Sequence, residues 1–427
     1  MKQRLFFDVT QLIHWPGRLT GIPRVMQELA VRFDEDKDNE CVFVTWVKDL
    51  GKFCEVNLSQ TLAKRGQGIV YETIGDSTGA TSGKALKKVA KTGLARLSRL
   101  SPNLTGVVEQ RIRQNQAKGY KKVEFMPGDQ LVIPWGEWAD QTFISNLVQR
   151  HKQGLKIIQI VHDMGPIIAP QFANAGNAAI TLPIYFGAIL PISSLVLAIS
   201  ENTKKTITMW LKENKLPLPP IKVFREGDDF SFAKATKPTS EPFLKSGLNG
   251  DDFILMVGTL EPKKNHSLLY NVYKAAARNN IDLPKLVIVG QLGWRSDDIF
   301  GIMSEDPEVK DKFVWLLNTS DEELSWLYDH CLFTVFASFF EGWGIPVAES
   351  LSRGVPVIAS NATSLAEVGG DFAEYFSPTS SDECMAKIVE LLKPDKLAQA
   401  RVKVKQYKPT SWDASFQQVK NYLKEIS

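Results

Sequence analysis

Two glutamates bracket a glycine-rich turn in the segment Glu341-Gly-Trp-Gly-Ile-Pro-Val-Ala-Glu349, directly after an apolar run. Gly342 and Gly344 allow the backbone to turn sharply and to approach a ligand closely. Pro346 is suited to the first position of a helix, because its fixed φ fits there and its missing N–H is not needed. The pattern predicts a strand, a turn and a helix N-terminus, which is a natural binding site for an anion.

The groups in this segment fit the parts of a nucleotide sugar. The backbone amides of Gly344 and Ile345 lie at the predicted helix N-terminus, where a diphosphate can bind. Glu349, inside the helix, can accept hydrogen bonds from vicinal ribose hydroxyls, as acidic residues do in dinucleotide-binding folds. Glu341, before the turn, lies on the other side of the phosphates, toward a further polyhydroxylated group. The structural alternative is that both glutamates are solvent-exposed flanks of an ordinary turn.

A second element with phosphate-binding character lies upstream, in Val257-Gly-Thr-Leu-Glu-Pro-Lys-Lys-Asn265. It follows another apolar run and places two adjacent lysines before the next helical pattern. A lysine at the carboxyl end of a strand is a suitable point charge for a diphosphate. Since both elements follow strands of the same half of the chain, we expect them to converge in one crevice. This favours the nucleotide-sugar interpretation over exposed glutamates.

Short apolar runs alternate with helical patterns along the chain, as they do around buried parallel sheets. The predicted strands are Leu5–Val9, Cys41–Val47, Gln130–Ile133, Ile157–Val161, Leu195–Ile199, Phe253–Val257, Leu286–Val289, Phe313–Leu317, Leu332–Phe336 and Val355–Ile358. The predicted helices include Arg24–Arg32, Asn202–Lys212, Ser267–Arg278, Glu322–Asp329 and Val347–Arg353. This alternation predicts an α/β fold with two doubly wound, Rossmann-like domains.

The composition is that of an ordinary globular protein: of 427 residues, 44% are hydrophobic and 23% are charged, with a net charge of +3. A chain of this length exceeds one hydrophobic core and predicts two domains. The four cysteines are far apart, so neither a disulfide nor a metal site is predicted, and a reducing cytoplasm fits best. The first apolar run, Leu5–Phe7, is too short for a signal peptide.

The domain boundaries are predicted from the same patterns. Residues 1–231 are expected to form the N-terminal domain and residues 251–405 the C-terminal domain. The linker between them, 232–250, is rich in Pro, Ser, Lys and Gly. Residues 406–427 contain a last helix with apolar residues at helical spacing, which we expect to pack back on the N-terminal domain.

Residues 164–200 contain no charged residue, and an uncharged stretch of this length raises the question of a transmembrane span. Prolines and serines interrupt it, at Pro183, Pro191, Ser193 and Ser194. We therefore expect a buried helix, a turn and the buried strand Leu195–Ile199 in place of a span.

The segment 84–122 is strongly basic, with eleven lysines and arginines and one acid, Glu109. In residues 84–100 the apolar residues fall on one side of a helical wheel and the basic ones on the other. This pattern fits an interfacial helix attracted to anionic lipid headgroups, and equally an amphipathic helix packed on its own domain. No nucleic acid partner is predicted, because neither interleaved aromatic residues nor a recognition module accompanies the charge.

Together these motifs resemble the retaining glycosyltransferases of family 4, which are group 1 glycosyltransferases with the GT-B architecture. The resemblance covers roughly residues 253–378, through G-T-L-E-P-K-K-N, S-D-E-E-L, the E-x7-E element and S-L-A-E-V-G-G-D in that order. The first half is similar more loosely, through T-G-I-P-R ending at Arg24, Pro127-Gly128-Asp129 and Val161-His162-Asp163. The resemblance implies an N-terminal acceptor domain and a C-terminal donor domain that face each other across a donor cleft.

The resemblance also implies transfer with retention of anomeric configuration, without a metal ion or another cofactor. Carried over by motif, Lys264 holds the diphosphate and stabilises its developing charge, Glu349 binds ribose and Glu341 binds or orients the donor sugar. His162 is expected to contact the sugar near the reacting carbon, and Asp163 to orient it or to cap the next loop.

The remaining expected donor-binding residues come from the same motifs. They are Gly21, Thr259, Lys263, Gly342, Gly344, Ile345 and Pro346, with Arg24 in a supporting role. Thr259 stands where many relatives carry arginine, which removes one charge from the diphosphate site, and Lys263 is the candidate replacement. Phe224-Arg-Glu-Gly227 stands where the family has a Pro-Asn-Gly-type turn.

The function that the resemblance implies is transfer of a hexose, with mannose preferred, to a saccharide or lipid-linked saccharide in bacterial surface polysaccharide synthesis, such as the O-antigen of lipopolysaccharide. T-L-E-P-K-K-N is similar to mannosyl- and deoxymannosyl-type transferases, which favours a GDP-linked donor. We expect a cytoplasmic protein, peripheral at the inner face of the membrane if segment 84–122 binds lipid.

Two other functions fit the sequence less well. A catalytically silent subunit with the same fold, used for binding or assembly, predicts damaged donor motifs, whereas Glu341, Glu349 and Lys264 are all present. An NAD-dependent dehydrogenase requires G-x-G-x-x-G after an early strand, and residues 8–24 lack that pattern.

Overall fold

Buried apolar runs form the strands of the computed structural model, which describes residues 4–15, 21–38, 40–63, 121–173, 178–229, 234–250 and 252–426. Within these residues the strands build two sheets. The chain divides into two units, Met1–Gln159 with Ile192–Ser194, and Ile160–Pro191 with Leu195–Ser427. We call them the first unit and the second unit.

The seven-stranded sheet has the strand order β3-β2-β1-β4-β5-β6-β7. Its strands are β1 Leu5–Asp8, β2 Cys41–Val47, β3 Lys52–Glu55, β4 Gln130–Ile133, β5 Lys156–Val161, β6 Leu195–Ala198 and β7 Ile221–Val223. Parallel pairings join β1 to β2 and β4, β4 to β5, and β6 to β7, whereas β3 is antiparallel to β2. The strand order reverses between β1 and β4, which makes their carboxyl ends a topological switch point.

The six-stranded sheet has the order β10-β9-β8-β11-β12-β13 and is parallel throughout. Its strands are β8 Phe253–Val257, β9 Lys285–Val289, β10 Phe313–Leu316, β11 Phe333–Phe336, β12 Val357–Ser360 and β13 Ala373–Phe376. Successive residues of β8 point to opposite faces. Ile254 and Met256 enter one apolar cluster, and Phe253 and Leu255 enter the other. Both faces of this sheet are therefore buried.

The predicted α/β fold with two doubly wound sheets is confirmed. The ten predicted strands all form, with ends that differ from the prediction by at most two residues. Three short strands, β3, β7 and β13, were not predicted. Each contains residues that are not buried, so none has the continuous apolar run by which a central parallel strand is recognised.

Helices connect most of the parallel strands. Those of the described residues are Thr10–His14, Ile22–Glu35, Leu58–Ala63, Gln141–Lys152, Gly165–Ile168, Ala178–Ile189, Glu201–Glu213, Glu241–Ser246, His266–Arg278, Asp297–Glu305, Asp321–His330, Ile345–Ser352, Leu365–Gly369, Ser381–Leu391, Pro394–Val404 and Trp412–Glu425. The S-D-E-E-L motif begins one of them through a capping box, in which the Glu323 amide donates to the Ser320 hydroxyl and the Ser320 amide to the Glu323 carboxylate.

The uncharged stretch 164–200 contains the helix Ala178–Ile189 and the strand β6, as predicted. Leu182, Tyr185 and Phe186 of the helix are buried. Among the residues that the structure describes, no helix combines the length and apolar character that a membrane crossing needs.

Two segments at the predicted boundaries form helices with side chains that contact the rest of the second unit. Within the predicted linker 232–250, Glu241–Ser246 forms a helix whose Phe243 is buried. In the C-terminal helix, the Tyr422 hydroxyl donates to the Val223 carbonyl at 3.1 Å, next to the end of β7. The domain boundaries themselves stay predictions. The basic segment 84–122 lies outside the described residues, apart from its last two.

Candidate active site

The loop between β11 and the helix Ile345–Ser352 has the strand, turn and helix order that its sequence predicts. Gly344 precedes the helix with a φ of 119°, and a Cβ there would lie 2.7 Å from Leu365 Cδ2, so only glycine fits. Pro346 is the second helical residue, one position later than predicted. It is tolerated there because the first-turn N–H groups have no partner within the helix.

The G-T-L-E-P-K-K-N loop lies against this first loop in the second unit. Pro262–Lys264 forms a single 3-10 turn, and Asn265 follows with a φ of 58°. The Asn265 amide group donates to the Ala337 carbonyl at 3.0 Å, and the Phe339 amide donates to the Lys263 carbonyl at 2.8 Å. The G-T-L-E-P-K-K-N loop and the E-x7-E loop, which we call the two phosphate-type loops, are therefore in contact, as their sequences predict.

An ion pair joins the two loops. Lys264 Nζ lies 2.6 Å from Glu341 Oε1, and the side chains are only 15% and 11% exposed. The Ser338 hydroxyl donates to the same carboxylate oxygen at 2.7 Å. Burial alone would raise the pKa of Glu341, but Lys264 and Lys263 and the hydrogen bonds from Lys264 and Ser338 bring it below its ordinary value. Glu341 is therefore a fixed, charged acceptor.

The main chain around Glu341 is held by hydroxyl groups that follow β12. The Glu341 amide donates to Thr363 Oγ1 at 2.9 Å. The Ser364 hydroxyl lies within hydrogen-bonding distance of the Glu341 carbonyl, at 2.9 Å, and of the Trp343 carbonyl, at 2.7 Å. Support of this kind fixes the position of a functional side chain before a ligand arrives.

The neighbouring lysine also belongs to the charged cluster. Lys263 Nζ lies 3.4 Å from Glu261 Oε1. Burial alone would lower the pKa of Lys263, but the carboxylates of Glu341, Asp163 and Glu261 raise it above its ordinary value. Lys263 is therefore a positive charge beside the loop, and Thr259 lies half-buried on the same segment.

Glu349 lies on the helix that follows the turn. Its carboxylate accepts a hydrogen bond from the Tyr328 hydroxyl at 3.0 Å. Tyr328 comes from the helix Asp321–His330 and is buried. Burial, together with the adjacent Glu349 carboxylate, raises the pKa of Tyr328 well above its ordinary value. The phenol therefore remains a hydrogen-bond donor that holds Glu349.

His162 and Asp163 directly follow β5 and lie beside the E-x7-E turn. A Cβ on Gly342 would come within 2.2 Å of the His162 carbonyl oxygen, so the two backbones are in close contact. His162 is buried, and its Nδ1 lies 3.5 Å from Glu226 Oε1. Asp163 accepts a hydrogen bond from the Gly165 amide at 3.0 Å and so caps the next turn, which is one of the two roles considered for it.

The remaining predicted residues belong to the first unit. Gly21 precedes the helix Ile22–Glu35 with a φ of 60°, and the Arg24 amide donates to the Gly21 carbonyl at 3.0 Å. Glycine adopts this backbone conformation without the strain that a side chain would bring.

Several side chains that contact the predicted residues were not predicted. They are Glu226, Glu261, Tyr328, Ser338, Thr363 and Ser364. Serine, threonine and tyrosine are common in loops and helices, so their positions carry no separate signal. Glu226 lies in the 224–227 segment that departs from the family pattern, and that departure was the available signal.

The segment that carries this cluster is similar to a known family of proteins. Residues 241–409 match the family model of the group 1 glycosyl transferases. The matched segment contains the whole six-stranded sheet together with Lys264, Glu341 and Glu349. The narrower assignment to family 4 stays a prediction, as do the roles of the individual residues.

Two curated relatives share sequence with part of the chain. The serotype-specific mannosyltransferase WbdA of Escherichia coli is 29% identical over 238 residues, which are 54% of this chain and 29% of WbdA. The O-antigen chain mannosyltransferase B of Escherichia coli is 34% identical over 175 residues, which are 40% of this chain and 45% of that protein. The matches thus span less than half the length of either relative.

Solved structures match the chain over nearly its whole length. Anabaena HepE in complex with UDP and glucose has a TM-score of 0.58 at 16% identity, covering 99% of this chain and 100% of HepE. A glycosyltransferase from Rickettsia africae has a TM-score of 0.59 at 15% identity, covering 100% of this chain and 99% of that one. At these identities the likeness shows the fold alone, which is the GT-B fold.

Proposed function

We propose that this chain is a glycosyltransferase that moves a mannose-type hexose from a GDP-linked donor to a saccharide or lipid-linked saccharide in bacterial surface polysaccharide synthesis. The observation that carries the proposal is the contact of the two phosphate-type loops, in which Lys264 Nζ lies 2.6 Å from Glu341 Oε1. Glu349 follows on the adjoining helix. The mannosyltransferases among the similar proteins support the choice of hexose.

In this proposal the donor diphosphate binds beside Lys264 and the amides of Gly344 and Ile345. An ammonium group has three N–H donors, so Lys264 can donate to phosphate oxygens while it keeps its contact with Glu341. Glu349 accepts hydrogen bonds from the ribose hydroxyls, and Glu341 accepts them from the sugar. The fixed positive charges stabilise the negative charge that develops on the leaving diphosphate.

The proposed reaction proceeds with retention and needs neither a metal ion nor another cofactor. The bond between the anomeric carbon and the diphosphate oxygen breaks while the acceptor oxygen bonds to the same face of that carbon. The acceptor proton passes to an oxygen of the leaving diphosphate. His162 contacts the sugar near the reacting carbon, and Lys263 adds positive charge where Thr259 replaces the arginine of many relatives.

The expected acceptor defines where the reaction takes place. A lipid-linked acceptor of surface polysaccharide synthesis is anchored at the inner face of the cytoplasmic membrane. The basic segment 84–122 is the proposed contact with its anionic headgroups, since each lysine or arginine near such a surface contributes about 1 kcal/mol.

Titration of the chain with nucleotides is expected to show preferential binding of GDP over UDP and ADP. Glu349→Ala should weaken GDP binding about tenfold or more, because hydrogen bonds to a charged group contribute about 1.5–3 kcal/mol. Isothermal calorimetry with GDP and GDP-mannose measures both effects. Tyr328→Phe should have a smaller effect in the same direction, because it removes only the hydroxyl that holds Glu349.

Glu374→Ala is the matched control, since this glutamate is half-exposed and pairs with Lys387 at 2.8 Å. It should bind GDP like the unsubstituted chain. Equal binding by the Glu349→Ala variant and the control would contradict the assignment of Glu349 to the ribose. No binding of any nucleotide or nucleotide sugar by the folded chain would favour the catalytically silent assembly subunit.

Product analysis is expected to show an α-linked hexose formed from an α-linked donor. Proton NMR of the product distinguishes the two anomers through their H1 couplings and one-bond carbon–proton couplings. The initial rate should be unchanged after exhaustive treatment with a metal chelator, because Lys263 and Lys264 supply the positive charge at the diphosphate. A β-linked product would contradict retention. A rate that falls with the chelator and is restored by a divalent cation would contradict metal independence.

A further inference from the structure

Two tryptophans lie side by side in the turn that follows β4 in the first unit. The ring centroids of Trp135 and Trp138 are 4.9 Å apart, and their planes are inclined by 44°. Both side chains are half-exposed, whereas all of β4 is buried. Gly136 between them has a φ of 91°, a conformation that residues with a side chain rarely adopt. The turn therefore depends on glycine and presents two large aromatic surfaces partly to solvent.

A carboxylate and an amide accompany the tryptophans. Glu137, between the two rings in sequence, accepts a hydrogen bond from Gln11 Nε2 at 2.5 Å. Gln11 belongs to the helix Thr10–His14, which follows β1. Partial burial raises the pKa of Glu137 above its ordinary value, although Gln11 opposes the shift. We call this set of side chains the aromatic platform: Gln11, Trp135, Glu137 and Trp138.

The aromatic platform lies at the switch point of the seven-stranded sheet. β1 and β4 are parallel neighbours, with Leu5 paired to Gln130 and Phe7 to Val132. The segments after these two strands therefore emerge at the same edge. The chain order reverses between them, and in open α/β sheets this is where ligands bind.

Hydrogen bonds of Asp140 hold the end of the turn in place. Asp140 accepts hydrogen bonds from Trp46 Nε1 at 3.0 Å and from the Thr142 amide at 2.9 Å, which begins the helix Gln141–Lys152. The Asp140 amide donates to the Glu137 carbonyl at 3.0 Å. The platform is therefore held in place by structural hydrogen bonds, as a pre-formed binding site requires.

This combination of side chains matches the surface of a neutral sugar. A pyranose ring has an apolar face of C–H groups, which packs on an indole, and a rim of hydroxyls, which donate to a carboxylate and accept from an amide. Aromatic surface with a few placed polar groups is typical of small-molecule sites. A diphosphate fits poorly, because the Glu137 carboxylate would repel it.

We propose that the aromatic platform binds the acceptor saccharide. The proposal rests on the proposed glycosyltransferase function and adds to it the residues that receive the acceptor. Two rings inclined to each other can contact one sugar from two sides or two consecutive sugars of a chain. The platform thereby gives the first unit a neutral oligosaccharide as its ligand.

The test is to measure the binding of α-linked mannotriose to the full chain, without nucleotide, by saturation-transfer NMR. Trp135→Ala and Trp138→Ala should each weaken binding about tenfold or more, because a few aromatic residues at the centre of a binding site carry most of its binding energy. Trp138→Phe should weaken it less, since an aromatic face remains. Glu137→Gln keeps the shape of the side chain but replaces a charged hydrogen-bond acceptor with a neutral one, so it should also weaken mannotriose binding.

Trp210→Ala is the control, because Trp210 is a half-buried tryptophan of the helix Glu201–Glu213. It should bind mannotriose normally, and thermal unfolding verifies that each variant is folded. The proposal is overturned if the platform variants bind like the control. It is also overturned if the unsubstituted chain binds none of a panel of manno-, gluco-, galacto- and rhamno-oligosaccharides.

The same variants separate this proposal from the proposed function. Platform variants should retain GDP binding, because the platform carries no part of the donor site. If the unsubstituted chain binds saccharide but not GDP, the transferase function fails and the platform remains a sugar-binding site. If GDP binds and the platform variants bind saccharide like the unsubstituted chain, the platform proposal fails and the transferase function stands.

Discussion

Lys264→Met is expected to lower kcat/KM for donor turnover about a hundredfold or more. A preorganised group that stabilises developing charge typically contributes about 3 kcal/mol to the barrier. Lys264 occupies such a position, because its ammonium is largely shielded from water and lies between the two phosphate-type loops. Initial rates of GDP release from GDP-mannose, with saturating acceptor, measure the effect.

The chain offers a closely matched control in Lys274→Met. Lys274 Nζ lies 2.6 Å from Asp306 Oδ2 and 2.7 Å from Glu308 Oε1, and its side chain is 16% exposed. Lys264 Nζ lies 2.6 Å from Glu341 Oε1, and its side chain is 15% exposed. Both substitutions remove a similarly shielded lysine from an ion pair of the same length, and Lys274→Met removes a second ion pair as well. Lys274 lies on the helix His266–Arg278, outside the candidate site. Equal losses of rate in the two variants would assign the effect to folding.

A double variant separates stability from chemistry at the same pair. Lys264→Met leaves the Glu341 carboxylate buried with one cation fewer, which should destabilise the fold. Adding Glu341→Gln removes that charge and should recover much of the free energy of unfolding, but not the rate. Denaturant unfolding and initial rates on the four proteins of the cycle give both quantities. Recovery of the rate in the double variant would argue against a role for Lys264 in the transition state.

Central strands are the part of this fold that the sequence predicts best. β8, β9 and β11 are largely buried on both faces, so each appears as a mainly apolar run, with Lys285 at the start of β9 and Thr334 inside β11. Strands at the sheet edges lack that signal. β3 contains Lys52 and Glu55 and pairs antiparallel with β2, and β13 is exposed at Glu374. Their pairing depends on neighbours that are distant in sequence.

The loops of the candidate site were predictable for the same reason as the strands that carry them. The carboxyl ends of parallel strands emerge at one edge, so the loops after β8 and β11, which are paired neighbours, had to meet. Lys264 and Glu341 could therefore be placed together from sequence alone. The distance between the Lys264 ammonium and the Glu341 carboxylate could not be predicted, because it also depends on Ser338 and on the backbone contact between Lys263 and Phe339.

The hydroxyl groups around Glu341 illustrate what sequence reasoning leaves out. Thr363 and Ser364 reach the loop from beyond β12, and the contact requires a φ of 50° at Thr363. Threonine rarely adopts that conformation, so no propensity predicts it. Glu226 is a similar case, because a carboxylate in a loop is ordinary until the fold places it 3.5 Å from His162.

Gly342→Ala is expected to lower kcat about a hundredfold and to weaken GDP binding by a smaller factor. The added methyl group would come within 2.2 Å of the His162 carbonyl oxygen and 3.0 Å of Asp163 Cβ. The obstacle is backbone, so the turn itself must move, and a displacement of about 1 Å in a reacting geometry costs about a hundredfold in rate. Glu349 and Lys264 take no part in this contact, so the loss of GDP binding, through the displaced amides of Gly344 and Ile345, should be the smaller of the two effects.

Gly301→Ala is the control for this substitution, because a Cβ at Gly301 would meet nothing within 4 Å. Gly301 lies inside the helix Asp297–Glu305, where alanine is favoured over glycine by about 1 kcal/mol. That variant should be at least as stable as the unsubstituted chain and fully active. A Gly342→Ala variant with normal kcat would mean that the reacting state does not require the approach of the turn to His162. Losses of kcat and GDP binding by the same factor would instead point to disruption of the turn itself, since the donor groups on either side of Gly342 would then have moved as well.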